Sequence, residues 1–183
     1  MLRNILAALL LTAAPAFAEG DGPGPNLVIE VSGAAKGEIV IDLDTKDAPK
    51  HVAQIVALAQ KGAYDGVVFH RVIDGFMAQT GDVQFGKAGG DTGQAGMGGS
   101  DMPNIPAEFS DVPFARGIVG MARSADPDSA NSQFFIMFAP GDFLNGQYTV
   151  IGKVIKGMDV VDAIQRGEPP ETPDVMTKVT VQQ

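Results

Sequence analysis

Cysteine and tryptophan are absent from the 183 residues, and histidine and tyrosine occur twice each. Without cysteine the chain has no disulfide, no thiolate metal site and no thiol nucleophile, so its core alone must hold the fold. Two histidines, His51 and His70, cannot build a zinc site without carboxylate help, and no motif places carboxylates at ligand spacing. His51 falls within a helical pattern and reads as solvated; His70 reads as a structural histidine or one at the edge of a groove. Positive charge is also scarce. The 13 Lys and Arg against 22 Asp and Glu leave a formal net charge of −9, and no basic stripe offers a path for nucleic acid. There is no Walker lysine pattern. Gly93, Gly96, Gly98 and Gly99 do not lie between a strand and a helix, so a dinucleotide site has no support. Ser100, in the run GGSDM, lacks the second glycine of a nucleophile elbow. What is present is ordinary for a globular domain: 45% hydrophobic and 19% charged residues, at a length that suits one core.

Long apolar runs are few. Residues 5–14 form one, behind Arg3, and it leads to Ala16, Phe17 and Ala18, the small-x-small pattern of a signal-peptidase site. The run falls short of the roughly 20 residues needed to span a bilayer. The pattern predicts a signal peptide over residues 1–18 that is cleaved after Ala18, a flexible leader over residues 19–26, and a single domain over residues 27–183. It therefore predicts export to a periplasm, or full secretion, with no stable membrane insertion after cleavage. No cysteine follows to carry a lipid.

Within the domain, residues 27–31 read as a strand and residues 37–43 alternate as a second, giving a hairpin. A helix follows, with Asp47 as its expected cap, Pro49 in its first turn, Val52, Ile55, Val56 and Ala59 at helical spacing, and Gly62 as its stop. Residues 67–73 read as one strand, and residues 76–81, 117–122, 133–139 and 148–155 as others. Residues 86–106 are crowded with glycine and read as a long loop, most simply a framework of turns. Met158, Val161 and Ile164 suggest a short second helix after Gly157, and residues 176–181 a last strand that pairs with the first. Short strands without regularly interleaved helices argue against a doubly wound sheet. The expectation is a mainly β fold: a closed, eight-stranded antiparallel barrel capped by two α-helices.

Several phrases then stand out in order: FHRVI at 69–73, FMAQTGD at 76–82, GMAR at 120–123, NSQFFI at 131–136, FLNG at 143–146 and YTVIGKV at 148–154. Together, across about residues 37–165, they make the chain resemble the cyclophilins, a family of peptidyl-prolyl cis-trans isomerases. The pleat of a strand makes physical sense of them. Phe134 and Phe135 must point to opposite faces, while Met77 and Gln79 share one, as do Gln133 and Phe135. One phenylalanine can fill a core while the other lines an outer groove.

The resemblance implies a reaction that needs neither nucleophile, metal nor cofactor. Rotation about a peptide bond costs about 18–20 kcal/mol because the C–N bond has partial double-bond character. A site that holds the proline ring and favours the twisted bond over both planar forms lowers that barrier. By resemblance Arg71 is the guanidinium that hydrogen-bonds the proline nitrogen when conjugation is lost. Phe76, Met77, Phe135 and Leu144 form the apolar pocket for the ring. Gln79 bonds the substrate backbone and is steadied together with Arg71. Ala122 and Arg123 line the groove, the latter through its main chain. Gln133 fixes the residue before proline, and Phe143 and Tyr148 complete the rim. The implied partners are proline-containing segments of folding exported proteins, met by a monomer. Two rivals stay open: a chaperone-like module that binds proline segments without important turnover, and a barrel that carries a small ligand. An intact Arg71 argues against the first, and large inward side chains against the second.

Phe143 and Tyr148 stand where the best-known eukaryotic members have Trp and His. Phe lacks the indole N–H donor. Binding of cyclosporin should therefore be weak while isomerase activity is kept, and a low-nanomolar Kd in a titration would overturn that expectation.

Overall fold

The computed structural model describes residues 22–183; the predicted signal peptide lies outside the described residues. Nine strands form one sheet: β1 (Asn26–Ser32), β2 (Gly37–Leu43), β3 (Val67–Val68), β4 (Arg71–Ile73), β5 (Met77–Thr80), β6 (Ile118–Met121), β7 (Phe134–Met137), β8 (Val150–Lys156) and β9 (Val175–Gln182). Two helices, α1 (Pro49–Gln60) and α2 (Met158–Ala163), accompany them. The strand order is β3-β9-β1-β2-β8-β6-β7-β5-β4, and the ladders are antiparallel. The pairing of β9 with β1 is as expected.

The expected closed barrel of eight strands is corrected to an open, curled sheet of nine. Residues 67–73 are not one strand. Val67 and Val68 pair with β9, whereas Arg71 to Ile73 pair with β5. Between the two pieces the Phe69 N–H donates to the Asp174 carbonyl and the His70 N–H to the Gln79 carbonyl. The chain thus exchanges partners at two residues, and the end strands β3 and β4 are consecutive pieces of backbone without a ladder between them.

Helix α1 starts with Pro49, whose missing N–H costs nothing in a first turn. Asp47 does not cap it. The cap position is Ala48, without a side-chain bond, and the exposed N–H groups of Lys50 and His51 donate instead to the Glu108 carboxylate, at 3.1 and 3.0 Å. Gly62 ends the helix as expected. Its φ of +68° lets Ala63 N–H reach back to the Leu58 carbonyl and Gly62 N–H to that of Ala59, the paired bonds of a Schellman motif.

The expectation that His51 is solvated is also corrected. The ring is 0% exposed, on the helix face that carries Val52, Ile55 and Leu58 into the core, and Nδ1 lies 2.6 Å from Glu108 Oε2. A neutral ring donating its Nδ1–H to the carboxylate accounts for that contact. The main core fills the concave side of the sheet, with Tyr64, Phe69 and Phe134 among its largest members. A second, smaller cluster lies on the other side: Met77, Phe114, Phe135, Met137, Leu144 and Val150.

Burial holds both imidazoles below the ordinary histidine value; the Glu108 carboxylate at His51 and the Asp82 carboxylate at His70 pull upward without overcoming it. Because the folded pKa values are depressed, the unfolded chain binds more protons below about pH 6.5. The stability that neutral His51 and His70 contribute is therefore complete above that pH and is lost as pH falls towards their folded values. Denaturant unfolding should give a lower free energy at about pH 5 than at about pH 7.5. A flat profile across that interval would show that burial does not keep these rings neutral.

Candidate active site

The outer face of β4, β5, β7 and β6 carries a lateral row. Arg71 faces Gln79, Gln79 faces Phe135, and Phe135 faces Gly120. Residues opposite one another in a ladder share a face, so the register alone brings guanidinium, amide and aromatic ring into one line. Gly120 is needed in that row. A Cβ there would lie 2.5 Å from Phe135 Cζ and 2.6 Å from Phe114 Cε1, where the two rings stack at 5.8 Å between centroids.

Above the row is a cleft of about 290 Å³ lined by Arg71, Phe76, Met77, Gln79, Ala122, Arg123, Phe135, Phe143, Leu144 and Tyr148. Buried Met77, Phe135 and Leu144 make its floor, supported by Phe114, Met137 and Val150. Tyr148 closes one side with its ring edge to face against Phe135 at 5.9 Å. Phe143 stands at the rim, 71% exposed, with its ring 5.5 Å from that of Phe76. A 3₁₀ turn (Asp142–Leu144) presents Phe143 and Leu144, and the next residue, Asn145, accepts the Phe114 N–H at 2.8 Å, tying the turn to the floor. Arg123 contributes more than the main chain expected of it. Its guanidinium donates to the Gln147 carbonyl at 2.9 Å and lies 4.3 Å over the Tyr148 ring, a cation–π contact that braces the wall.

Gln133 is the one expected site residue outside this cleft. It lines an adjoining recess of about 350 Å³ with Gln79, Ala122 and Arg123, and with Gly96, Met97, Gly98, Ser124, Ser129, Asn131 and Ser132, which sequence reasoning did not assign to the site. A hydrogen-bond chain joins the two. Gln79 Nε2 donates to Gln133 Oε1 at 2.9 Å, and Gln133 Nε2 donates to the carbonyls of Gly96 and Gly98 at 3.0 and 2.7 Å. The N–H groups of Gly96 and Gly98 donate in turn to Asp82 Oδ2, at 2.8 and 2.9 Å. Fully buried Asp82 also accepts from Gln84 and Phe85. The glycine-rich loop is thus more than a framework of turns: it is fastened to the cleft and forms one side of the recess. The signal in the sequence was Gln133 itself, a polar residue two positions from Phe135 and therefore on its face.

The expectation that Gln79 and Arg71 are steadied together is corrected: each has its own partner. The Gln79 amide is committed to Gln133, and the Arg71 guanidinium is held from elsewhere: Nε donates to Glu168 Oε2 at 2.8 Å. Sequence reasoning missed Glu168 too, which lies just before the proline-rich stretch 169–173. Chemically, the cleft offers an apolar floor with a cation at one end and an amide beside it. Among the residues lining it, no nucleophile is paired with a base.

Residues 27–183 match the family described as cyclophilin type peptidyl-prolyl cis-trans isomerase/CLD. A probable peptidyl-prolyl cis-trans isomerase of Brucella suis biovar 1 (strain 1330) is 50% identical over 192 residues, covering 99% of this chain and 96% of the relative. Peptidyl-prolyl cis-trans isomerase A of Dickeya dadantii (strain 3937) is 37% identical over 176 residues, covering 91% and 86%. Among solved structures, the cyclophilin AquaCyp293 from Hirschia baltica superposes with a TM-score of 0.74 at 28% identity, covering 87% of this chain and 74% of that one. The fold is shared at TM-score 0.74 and 24% identity with a Cryptosporidium parvum cyclophilin type isomerase crystallised in the presence of the dipeptide Ala-Pro; 86% of this chain and 99% of that one are covered.

The hydrogen-bond chain makes a prediction of its own. Gln133→Ala leaves the Gly96 and Gly98 carbonyls and the Gln79 amide without their partner. Amide exchange at Gly96 and Gly98 should quicken by about tenfold, the equivalent of one lost net hydrogen bond. Unchanged protection would show that Asp82 alone holds the loop.

Proposed function

This chain belongs to the cyclophilin-type peptidyl-prolyl cis-trans isomerases, and on that premise we propose that the cleft beside Arg71 is where the X–Pro bond turns. As an isomerase of this type it accelerates a rotation that otherwise takes tens to hundreds of seconds. The proline ring sits on the floor of Met77, Phe135 and Leu144, with Phe76 as a side wall. No covalent bond forms or breaks. As the peptide bond twists, the proline nitrogen loses conjugation and recovers its lone pair, and the Arg71 guanidinium donates a hydrogen bond to it. Because that acceptor exists only in the twisted state, the donor favours the transition state over both planar forms. Gln79 bonds the backbone around the reacting bond, and Gln133, with the adjoining recess, takes the residues before proline. The observation that carries this reading is the cross-strand row, which sets the Arg71 guanidinium beside the apolar pocket.

The same reading extends to the cell. The apolar run before Ala16, Phe17 and Ala18 supports export with cleavage after Ala18, and hence a role in folding exported proteins. A mature protein that begins at Glu19 in the periplasmic fraction is the corresponding observation. A monomer suffices for the chemistry, since one chain lines the whole cleft. The exposed Phe143, whose ring carries no N–H donor, supports weak binding of cyclosporin.

The test is cis-to-trans relaxation of a short Ala-Pro peptide with the wild-type protein and with Arg71→Ala. One preorganised donor to a developing lone pair is worth about 10²–10³-fold, so kcat/KM should fall by that factor. Circular dichroism should be unchanged, because the pair made by this half-exposed arginine contributes little to stability. Equal rates for the two proteins would remove Arg71 from the mechanism.

A further inference from the structure

Glu168 has no part in the chemistry above, yet its carboxylate is what grips the arginine at the centre of it. We propose that Glu168 is a positioning residue: it fixes the Nε edge of Arg71 and thereby turns the Nη edge toward the cleft.

The two residues meet across 97 positions of chain, with Nε donating to Oε2 at 2.8 Å. Their placement separates the roles. Arg71 lines the proline cleft and also a separate recess of about 350 Å³, which Glu168 and Pro169 line with it. Glu168 does not line the cleft. It therefore reaches the guanidinium from outside the cleft and leaves substrate to Arg71.

The backbone around Glu168 is moored, so the carboxylate is not carried on a free tip. Val72 and Gly167 exchange two backbone hydrogen bonds of 2.8 Å each, which joins the residue after Arg71 to the residue before Glu168. Gly167 has φ +148°, and a Cβ there would stand 2.5 Å from Pro170 Cα, so this turn accepts only glycine. Further along, the buried Asp174 carboxylate accepts the N–H groups of Gln165, at 2.7 Å, and Ala35, at 2.8 Å. The Thr172 N–H donates to Gln165 Oε1 at 2.8 Å. The segment is tied to β4 at one end and to the β1–β2 turn at the other.

The chemistry of a guanidinium explains what such a partner does. Its five N–H groups lie in one plane, so a bond at Nε fixes the direction of that edge and restrains that of both Nη groups. Arg71 is 41% and Glu168 51% exposed, and an ion pair that open adds little to folding stability. Its effect lies in orientation: a donor already aimed at the twisted nitrogen need not be reorganised when the bond turns.

The proposal rests on the reading that Arg71 assists the rotation, and the experiment keeps the two apart. Steady-state kinetics and exchange NMR on an Ala-Pro peptide would give kcat and KM for wild type, Glu168→Ala, Glu168→Asp, Arg71→Ala and the double variant Arg71→Ala/Glu168→Ala. Loss of orientation should lower kcat by about fivefold to tenfold in Glu168→Ala, with KM changed less than about twofold. Glu168→Asp should recover part of the loss, the double variant should be no slower than Arg71→Ala, and the melting temperature should hold. In ¹⁵N spectra the Arg71 Nε–H should exchange slowly with solvent in wild type and faster in Glu168→Ala, whatever the role of Arg71 in the reaction. If Arg71→Ala is impaired but Glu168→Ala is not, or is faster, positioning is overturned and the cleft reading stands. If Glu168→Ala costs as much in the Arg71→Ala background, it acts through the fold and positioning is again overturned. If Arg71→Ala is fully active, the cleft reading itself fails.

Discussion

Strand β7 is buried on both faces, and a strand can be buried twice only if something covers each side. On the concave side Phe134 and Ile136 enter the main core, where Phe134 meets Tyr64 edge to face at 5.7 Å. On the other side Phe135 and Met137 would be an exposed apolar strip without Phe114, Leu144 and Val150 packed beside them. Fully burying a side chain of this size contributes about 1.5–3 kcal/mol, enough to keep that outer layer in place. The outer layer leaves only a narrow edge of Phe135 and Met77 open, and that edge belongs to the floor of the cleft. The binding surface is thus an unfinished second core, firm because its other side is finished.

The polar groups stand around that floor. Isomerisation needs a hydrogen-bond donor where a lone pair appears and needs no proton transfer, so the donors must be fixed without being neutralised. The amides are fixed by a chain that runs from Gln79 through Gln133 and the Gly96 and Gly98 backbone to buried Asp82. The guanidinium is fixed by Glu168 from outside the cleft. Both supports stand outside the cleft, so the edge facing it remains available. The glycine-rich loop and the proline-rich loop, which flank Arg71 and Gln79 in one recess, serve as the two supports.

A similar division of labour appears at α1. Its first turn is capped by a residue from another part of the chain, and Glu108 satisfies two backbone N–H groups and a buried imidazole at once. Burial by itself would raise the Glu108 carboxyl, but the bonds from His51 and Lys50 outweigh it and hold the group below the ordinary value. The Glu108 N–H in turn donates to Thr149 Oγ1 at 3.0 Å, next to Tyr148 of the cleft wall, so helix and wall share one anchor.

The sequence by itself determined what is local. Short β-rich runs identified most strands, the pleat gave the opposed faces of Phe134 and Phe135, Pro49 and Gly62 bounded α1, and the phrases around Arg71, Phe135 and Tyr148 led by resemblance to residues that do meet in one cleft. These features are legible because period, capping and short motifs involve neighbours in the chain. Only the tertiary structure decided the rest. Residues 67–73 read as one β-rich run, so nothing in it marks the exchange of partners at Phe69 and His70 in the open sheet. Asp47 was a suitable cap by type and His51 a plausible surface residue by position, but Glu108, 57 residues further on, settled both. Arg71 could be picked from its phrase, whereas its partner lies 97 residues away, just before a loop whose composition says only that it is stiff. Charge pairing and burial depend on which distant segments the sheet brings together, and a chain read residue by residue carries no record of that distance.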